Sequence, residues 1–226
     1  MKGAFYLASL SVLVSCMFAS SNELDSNAHF SVNPSPSKEN IVEETHVVAD
    51  VPPRLRLDTL KLLAKEALQF NKRNGLDTTQ CILIDMWQHP GTKRLFLWDF
   101  KKDTIVKSAL VSQGACNEDN GTWRPVFKNV HESHCSSKGK YKTGARVWSS
   151  FGVGFSYKLH GLEATNSLAY DRVIVFHSWA WTPDEEVYPY EISYSWGCPA
   201  VSDSFMLEID KDIKQLKRPI LLWVFE

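Results

Sequence analysis

Hydrophobic and polar positions divide the chain into a short list of elements. Leu57, Leu60, Leu63, Ala64, Ala67, Leu68 and Phe70 recur at helical spacing, so one apolar stripe is predicted along residues 57–74. Asp58 or Thr59 can cap its start, and Asn74-Gly75 stops it. Three runs rich in β-branched and aromatic residues follow, Cys81–Met86, Arg94–Phe100 and Thr104–Val111. His89-Pro90-Gly91 and Lys101-Lys102-Asp103 separate them as turns, so the three read as a meander. From Ser136 to Tyr157 strand-like segments carry Gly139, Gly144, Gly152 and Gly154, where bare backbone can lie against a ligand. Arg172-Val173-Ile174-Val175-Phe176 is a buried strand in pattern. Val201–Leu216 returns to helical spacing, capped by Ser202, with Phe205, Met206, Ile209, Ile213 and Leu216 as its stripe. Pro219–Phe225 is an apolar closing strand. The pattern is that of a β-rich α+β domain with flanking helices; it does not choose between sandwich and barrel.

The first 53 residues have a different character. Lys2 followed by the apolar run Ala4–Val14 fits a secretory signal over residues 1–20, too short to span a bilayer, which takes ~20 apolar residues. Two processing sites compete. Leu13-Val14-Ser15-Cys16 resembles a bacterial lipobox, which would make Cys16 a lipidated membrane anchor. Ala19-Ser20-Ser21 would instead be cut as a small-residue site and free the protein. Either route places the mature chain outside the cytoplasm. Residues 21–53 are rich in Ser, Asn, Glu and Pro, as in Asn33-Pro34-Ser35-Pro36-Ser37, and are expected to form a disordered linker. A folded domain is expected over residues 54–226. The helix at 57–74 is read as packed on that domain; as a membrane-surface helix it would need a more basic polar face.

With 44% hydrophobic and 23% charged residues the composition is that of a globular domain with extensions. A net charge of -1 speaks against nucleic acid held by a basic surface. The domain's cysteines are Cys81, Cys116, Cys135 and Cys198. In an oxidising compartment a Cys116–Cys135 bridge would staple the polar loop between them. The rival pairing, Cys135–Cys198, would remove a reactive thiol. Cys81 lies in an apolar run and is expected to be buried and inert.

Candidate chemistry concentrates in Ser195-Trp196-Gly197-Cys198-Pro199-Ala200. Glycine permits close approach and unusual dihedrals, and proline fixes the exit. Such a turn can present a thiol nucleophile beside backbone N–H groups, with those of Gly197 and Cys198 as the expected oxyanion donors. His177-Ser178 ends the preceding apolar strand and supplies a base for acyl transfer; a neighbouring histidine is expected to lower the thiol's pKa. The bland alternative is a hydrogen-bonded structural histidine and an incidental Gly-Cys pair. Asp85 and Asp99 stand at strand ends as solvated or turn-capping residues. His131, His134 and Cys135 are close in sequence, but no fourth ligand is spaced to complete a metal site.

An ordered set of separated pieces sharpens this. Ser136-Ser137-Lys138-Gly139-Lys140-Tyr141, Leu159-His160-Gly161-Leu162-Glu163 with Asn166, Arg172–His177 and Ser195–Ala200 together resemble the murein L,D-transpeptidase catalytic-domain family. In the wider superfamily the turn reads Ser/Thr-His-Gly-Cys; Trp196 replaces its histidine, as is common in the branch this chain resembles. The resemblance implies an L,D-transpeptidase-like β-sandwich or barrel and a cysteine acyl-enzyme. It implies peptidoglycan stem peptides as partner, release of D-Ala, 3-3 cross-links and no cofactor or metal. Cys198 would be the nucleophile and His177 the base, with Ser178 orienting it through a carbonyl and Gly197 shaping the oxyanion site. Arg172, Trp196, His160, Gly161, Ser195 and His134 would line the substrate groove, Arg172 equally as a structural partner and His160 more as a structural residue. The periplasm or cell envelope is the implied compartment. An L,D-carboxypeptidase using water, transfer to a protein lysine or free D-amino acid, and an inactive wall-binding module remain alternatives. A papain-like protease is rejected, because His177 precedes Cys198.

Overall fold

The computed structural model describes residues 57–117 and 121–226. The expected signal, the two processing sites with Cys16, and the linker to residue 53 lie outside these. Helix α1 (Leu57–Asn74) is followed by strands β1 (Gln80–Asp85), β2 (Leu95–Asp99), β3 (Thr104–Ala109), β4 (Gly139–Trp148) and β5 (Phe155–Gly161). After a short 3-10 turn, Ala164–Asn166, come β6 (Val175–Ser178), β7 (Ala200–Val201), helix α2 (Asp203–Ile213) and β8 (Leu221–Phe225).

All eight strands join one sheet in the order β3-β2-β1-β8-β4-β5-β6-β7. The chain just past β3 also bonds to the opposite edge, where Ser112 N–H donates to the Ala200 carbonyl at 2.8 Å. The sheet therefore curls into a nearly closed barrel, the geometry that the apolar pattern left open.

Strand alternation explains the layers. Ile82, Ile84, Leu95, Leu97, Leu222 and Val224 point into the barrel, where they meet Tyr157, Leu159, Phe176 and the α2 stripe Phe205, Met206, Ile209 and Ile213. Their neighbours Cys81, Leu83, Phe96, Trp98, Leu221 and Trp223 point outward and are covered by Leu60, Ala64 and Ala67 of α1. Strands β1, β2 and β8 are thus buried on both faces, which is why they read as continuous apolar runs. Ser202 caps α2 by accepting the Phe205 N–H.

One local expectation is revised and another is settled. The apolar run Arg172–Phe176 does not begin a strand at its first residue: Val173 has φ +57°, and pairing starts at Val175. Of the two roles expected for Asp85, solvated or turn-capping, the structure gives the second. Asp85 is buried, accepts from Trp87 N–H and the Gln88 side chain, and burial raises its pKa.

Candidate active site

The turn from Ser195 to Ala200 is fixed from both sides. Ser195 N–H donates to the Gln113 carbonyl and Ala115 N–H to the Ser195 carbonyl, each at 2.8 Å, which pins the turn to the strand extension beyond β3. Its exit pairs with β6, His177 opposite Ala200 and Ser178 opposite Val201. Inside the turn the Ser195 hydroxyl accepts from Gly197 N–H at 3.2 Å and donates to the Cys198 carbonyl at 2.6 Å. Gly197 sits at φ +103°, and a Cβ there would lie 2.7 Å from the Cys135 carbonyl oxygen. Only glycine satisfies both the dihedral and the close approach. Two expectations change here. Ser195 is a knot of the turn rather than an open substrate contact. The Gly197 N–H is engaged by Ser195 and is not an available oxyanion donor, whereas the Cys198 N–H has no partner among the described residues.

His177 lies on the outer face of β6, because Phe176 before it points into the barrel, while the Cys198 side chain packs at the margin of the barrel core. His177 Nδ1 lies 2.8 Å from the Ser178 carbonyl. A carbonyl can only accept, so Nδ1 carries the proton and Nε2 keeps its lone pair. The Phe151 ring packs 5.5 Å from the imidazole, and Trp179 packs on Phe151. Val153 N–H donates to the Ser178 hydroxyl at 3.0 Å, which ties this aromatic cover down. Burial lowers the pKa of His177, against the opposing effect of the Ser178 carbonyl.

The Cys198 sulfur accepts from the Val175 N–H at 3.4 Å and lies 3.9 Å from the Val173 carbonyl. It makes no hydrogen bond to His177 among the described residues. Burial raises the thiol pKa; the Val175 N–H and the charges of Arg172 and Lys158 oppose it. Burial thus pushes the thiol up and the imidazole down, opposite to the lowered thiol expected from the sequence. Desolvation of a half-buried sulfur outweighs the donor and the two cations. The chain folds tightly to supply the Val173 carbonyl: a β-branched residue in the left-handed region costs on the order of 1–3 kcal/mol.

The remaining expected site residues fall into two groups. Arg172 does not stand open to a carboxylate. Its terminal nitrogens donate to Lys128 O at 3.0 Å, Ser137 Oγ at 2.6 Å, Ser133 Oγ at 3.3 Å and Cys135 O at 2.6 Å. Planar fork geometry suits this clamping of a polar loop onto the turn. Gly161 is likewise structural, because the Asn166 carbonyl occupies the space where its side chain would be. By contrast Trp196, 74% exposed, stacks on His134 at 4.8 Å and flanks the thiol's turn. His160 is half-exposed on the outer face of β5 and stacks on Tyr170 at 4.7 Å. A Cys116–Cys135 disulfide closes the loop behind them, so Cys135 cannot ligate a metal and Cys198 remains free. Lys158 and Phe151 were not singled out by the sequence. Strand alternation across residues 155–161 was the available signal for Lys158; nothing local marked Phe151.

The fold is a nearly closed barrel-like sheet that presents a free cysteine in a rigid Gly-Cys turn. A family model for the L,D-transpeptidase catalytic domain matches residues 53–223, and the chain belongs to that family. No curated protein matches the chain. Among solved structures it is similar to an L,D-transpeptidase from Xylanimonas cellulosilytica, with 14% identity and a TM-score of 0.36, covering 70% of this chain and 68% of that one. It is also similar to the helical cell shape determining protein Pgp2 from Campylobacter jejuni, with 11% identity, a TM-score of 0.40 and coverage of 66% and 48%. An L,D-transpeptidase of Enterococcus faecium gives 10% identity, a TM-score of 0.40 and coverage of 66% and 50%. The chain thus spans about half the length of the latter two.

Proposed function

We propose that the chain is a peptidoglycan L,D-transpeptidase working through a Cys198 thioester. The observation that carries this reading is the pairing of a free thiol at a rigid Gly-Cys turn with an imidazole whose tautomer is set by the Ser178 carbonyl. Nε2 of His177 takes the thiol proton as the sulfur attacks the carbonyl between the third residue and the terminal D-Ala of a tetrapeptide stem. The Cys198 N–H stabilises the oxyanion. His177 then gives that proton to the departing amine, D-Ala leaves, and a thioester remains. The side-chain amine of a third residue on another stem attacks the thioester, loses a proton to His177, and restores the thiol. Covalent catalysis divides one difficult acyl transfer into two easier ones. His177 acts as a general base during attack. Trp196 and His134 wall the groove on one side. Processing at Cys16 or after residue 20 would deliver the domain to the cell envelope.

The test uses the full chain with purified disaccharide-tetrapeptide and mass spectrometry. Loss of D-Ala with a cross-linked dimer, absent in Cys198→Ala, is the expected result. Loss of D-Ala with tripeptide alone would make the enzyme an L,D-carboxypeptidase. Full activity in Cys198→Ala would sink the thioester mechanism.

A further inference from the structure

Several lysines elsewhere on the domain have carboxylate partners. Lys107 meets Glu208 and Asp212, Lys140 meets Glu66 and Glu163, and Lys214 meets Asp210. Lys142 and Lys158 differ. Both are half-buried, and neither has a carboxylate within ion-pair distance among the described residues. They stand on one face. Lys158 pairs with Val175, the residue whose amide holds the Cys198 sulfur, and Lys142 pairs with His160. Tyr157 and Leu159 point into the barrel, so Lys158 and His160 project outward beside the thiol. Gly144 leaves the room for them, since a Cβ there would press on His160 and on the Lys158 side chain. Tyr170 braces the pair, with its ring stacked on His160 and lying 5.8 Å from the Lys158 ammonium. Around Cys198 and His160 only cations contribute. Arg172 and Lys158 act on Cys198, and Lys142 and Lys158 act on His160. Of these, Arg172 already has its donors satisfied by the protein.

We propose that Lys158, supported by Lys142 and His160, is a carboxylate-binding subsite beside the nucleophile that selects donor peptides carrying a free carboxylate next to the scissile amide. An ammonium half-withdrawn from water and lacking a counter-charge gains more from a carboxylate than one already paired. The ligand class follows from the charge and the position: a peptide ending in a free carboxylate one residue beyond the attacked carbonyl. The identification of that peptide as a stem peptide rests on the function proposed above.

Alkylation of Cys198 tests the subsite without any stem peptide. Iodoacetate carries a carboxylate beside its reactive carbon, and iodoacetamide is its neutral counterpart. Both consume the same thiolate, so the ratio of their rates at Cys198, read by peptide mass spectrometry on the full chain, cancels any change in thiol pKa. Lys158→Gln is expected to lower the iodoacetate-to-iodoacetamide ratio by about threefold to tenfold, and Lys158→Arg to restore most of it, on the scale of a part-exposed charge contact. A ratio unchanged in Lys158→Gln would overturn the subsite. With tetrapeptide, Lys158→Gln should raise KM for the free acid and leave KM for its C-terminal amide unchanged; an equal effect on both would overturn the selectivity. If wild-type protein leaves tetrapeptide untouched while the alkylation ratio still depends on Lys158, the subsite stands and the assigned substrate fails.

Discussion

The two halves of the barrel solve different problems with the same strand geometry. Strands β2, β1 and β8 are apolar on both faces, with α1 on one side and the barrel interior on the other. Strands β5, β6 and β7 are apolar on the inner face only. Their outer face carries Lys158, His160, Val175 and His177. The first half holds the sheet together; the second places polar groups in fixed positions on a surface that stays open to a ligand. The second half holds Val173 and His134 at positive φ, a half-buried thiol, and cations without counter-charges. A rigid helix-backed half allows the other half to hold strain and uncompensated charge at a site where chemistry uses them.

The comparison breaks most sharply at the nucleophile. Cys198→Ala should reduce turnover by on the order of 10⁶-fold, the scale of losing a covalent nucleophile, while thermal unfolding stays near that of the wild type. Steady-state kinetics beside a melting curve checks both. Trp98→Ala is the converse. Trp98 is fully buried under α1, so its removal should cost about 3–5 kcal/mol of stability and leave kcat per folded molecule unchanged. Denaturant unfolding with active-site titration separates the two quantities. Gly197→Ala should fall between them. The new methyl would meet the Cys135 carbonyl and the dihedral would be strained, so the turn shifts. A displacement of about 1 Å at the sulfur costs on the order of 100-fold in rate. A rate unchanged in Gly197→Ala would mean that the turn is looser than its hydrogen bonds imply.

The same contrast decides what could be read from the chain. The helix-backed half was legible almost residue by residue, because double burial writes long apolar runs and a helical stripe. Leu57–Asn74 was bounded at both ends, and the strands of the meander shifted by only a residue or two. The turn from Ser195 to Ala200 and its histidine were visible as residue types and order. Their hydrogen bonds were not. That Arg172 clamps the disulfide loop and that Val175 rather than His177 holds the resting sulfur depend on chain segments far apart in sequence. Closure of the sheet was hidden for a similar reason, since the bond from Ser112 to Ala200 joins an irregular segment to a two-residue strand too short to show a pattern. Phe151 had no signal because its role is set by a hairpin folding over a neighbour in space.

Phe151 gives the smallest effect and the finest probe of the open half. Its ring shields one side of His177, and burial is the leading cause of that histidine's low pKa. Catalysis by general base needs the neutral imidazole, so the acid limb of kcat/KM should lie below the ordinary histidine value of about 6.5. Phe151→Ala admits water to the ring and stabilises the protonated form. The acid limb should therefore move up toward that ordinary value, with activity lost at mildly acidic pH and largely retained above neutrality. Phe151→Leu keeps the cover and should leave the limb in place. Because the Ser178 carbonyl bond persists in both variants, a change confined to Phe151→Ala would assign the shift to solvent exclusion rather than to orientation of the ring. If the limb did not move, the low pKa of His177 would have to come from the barrel wall beneath it, and the aromatic cover would act on the substrate instead.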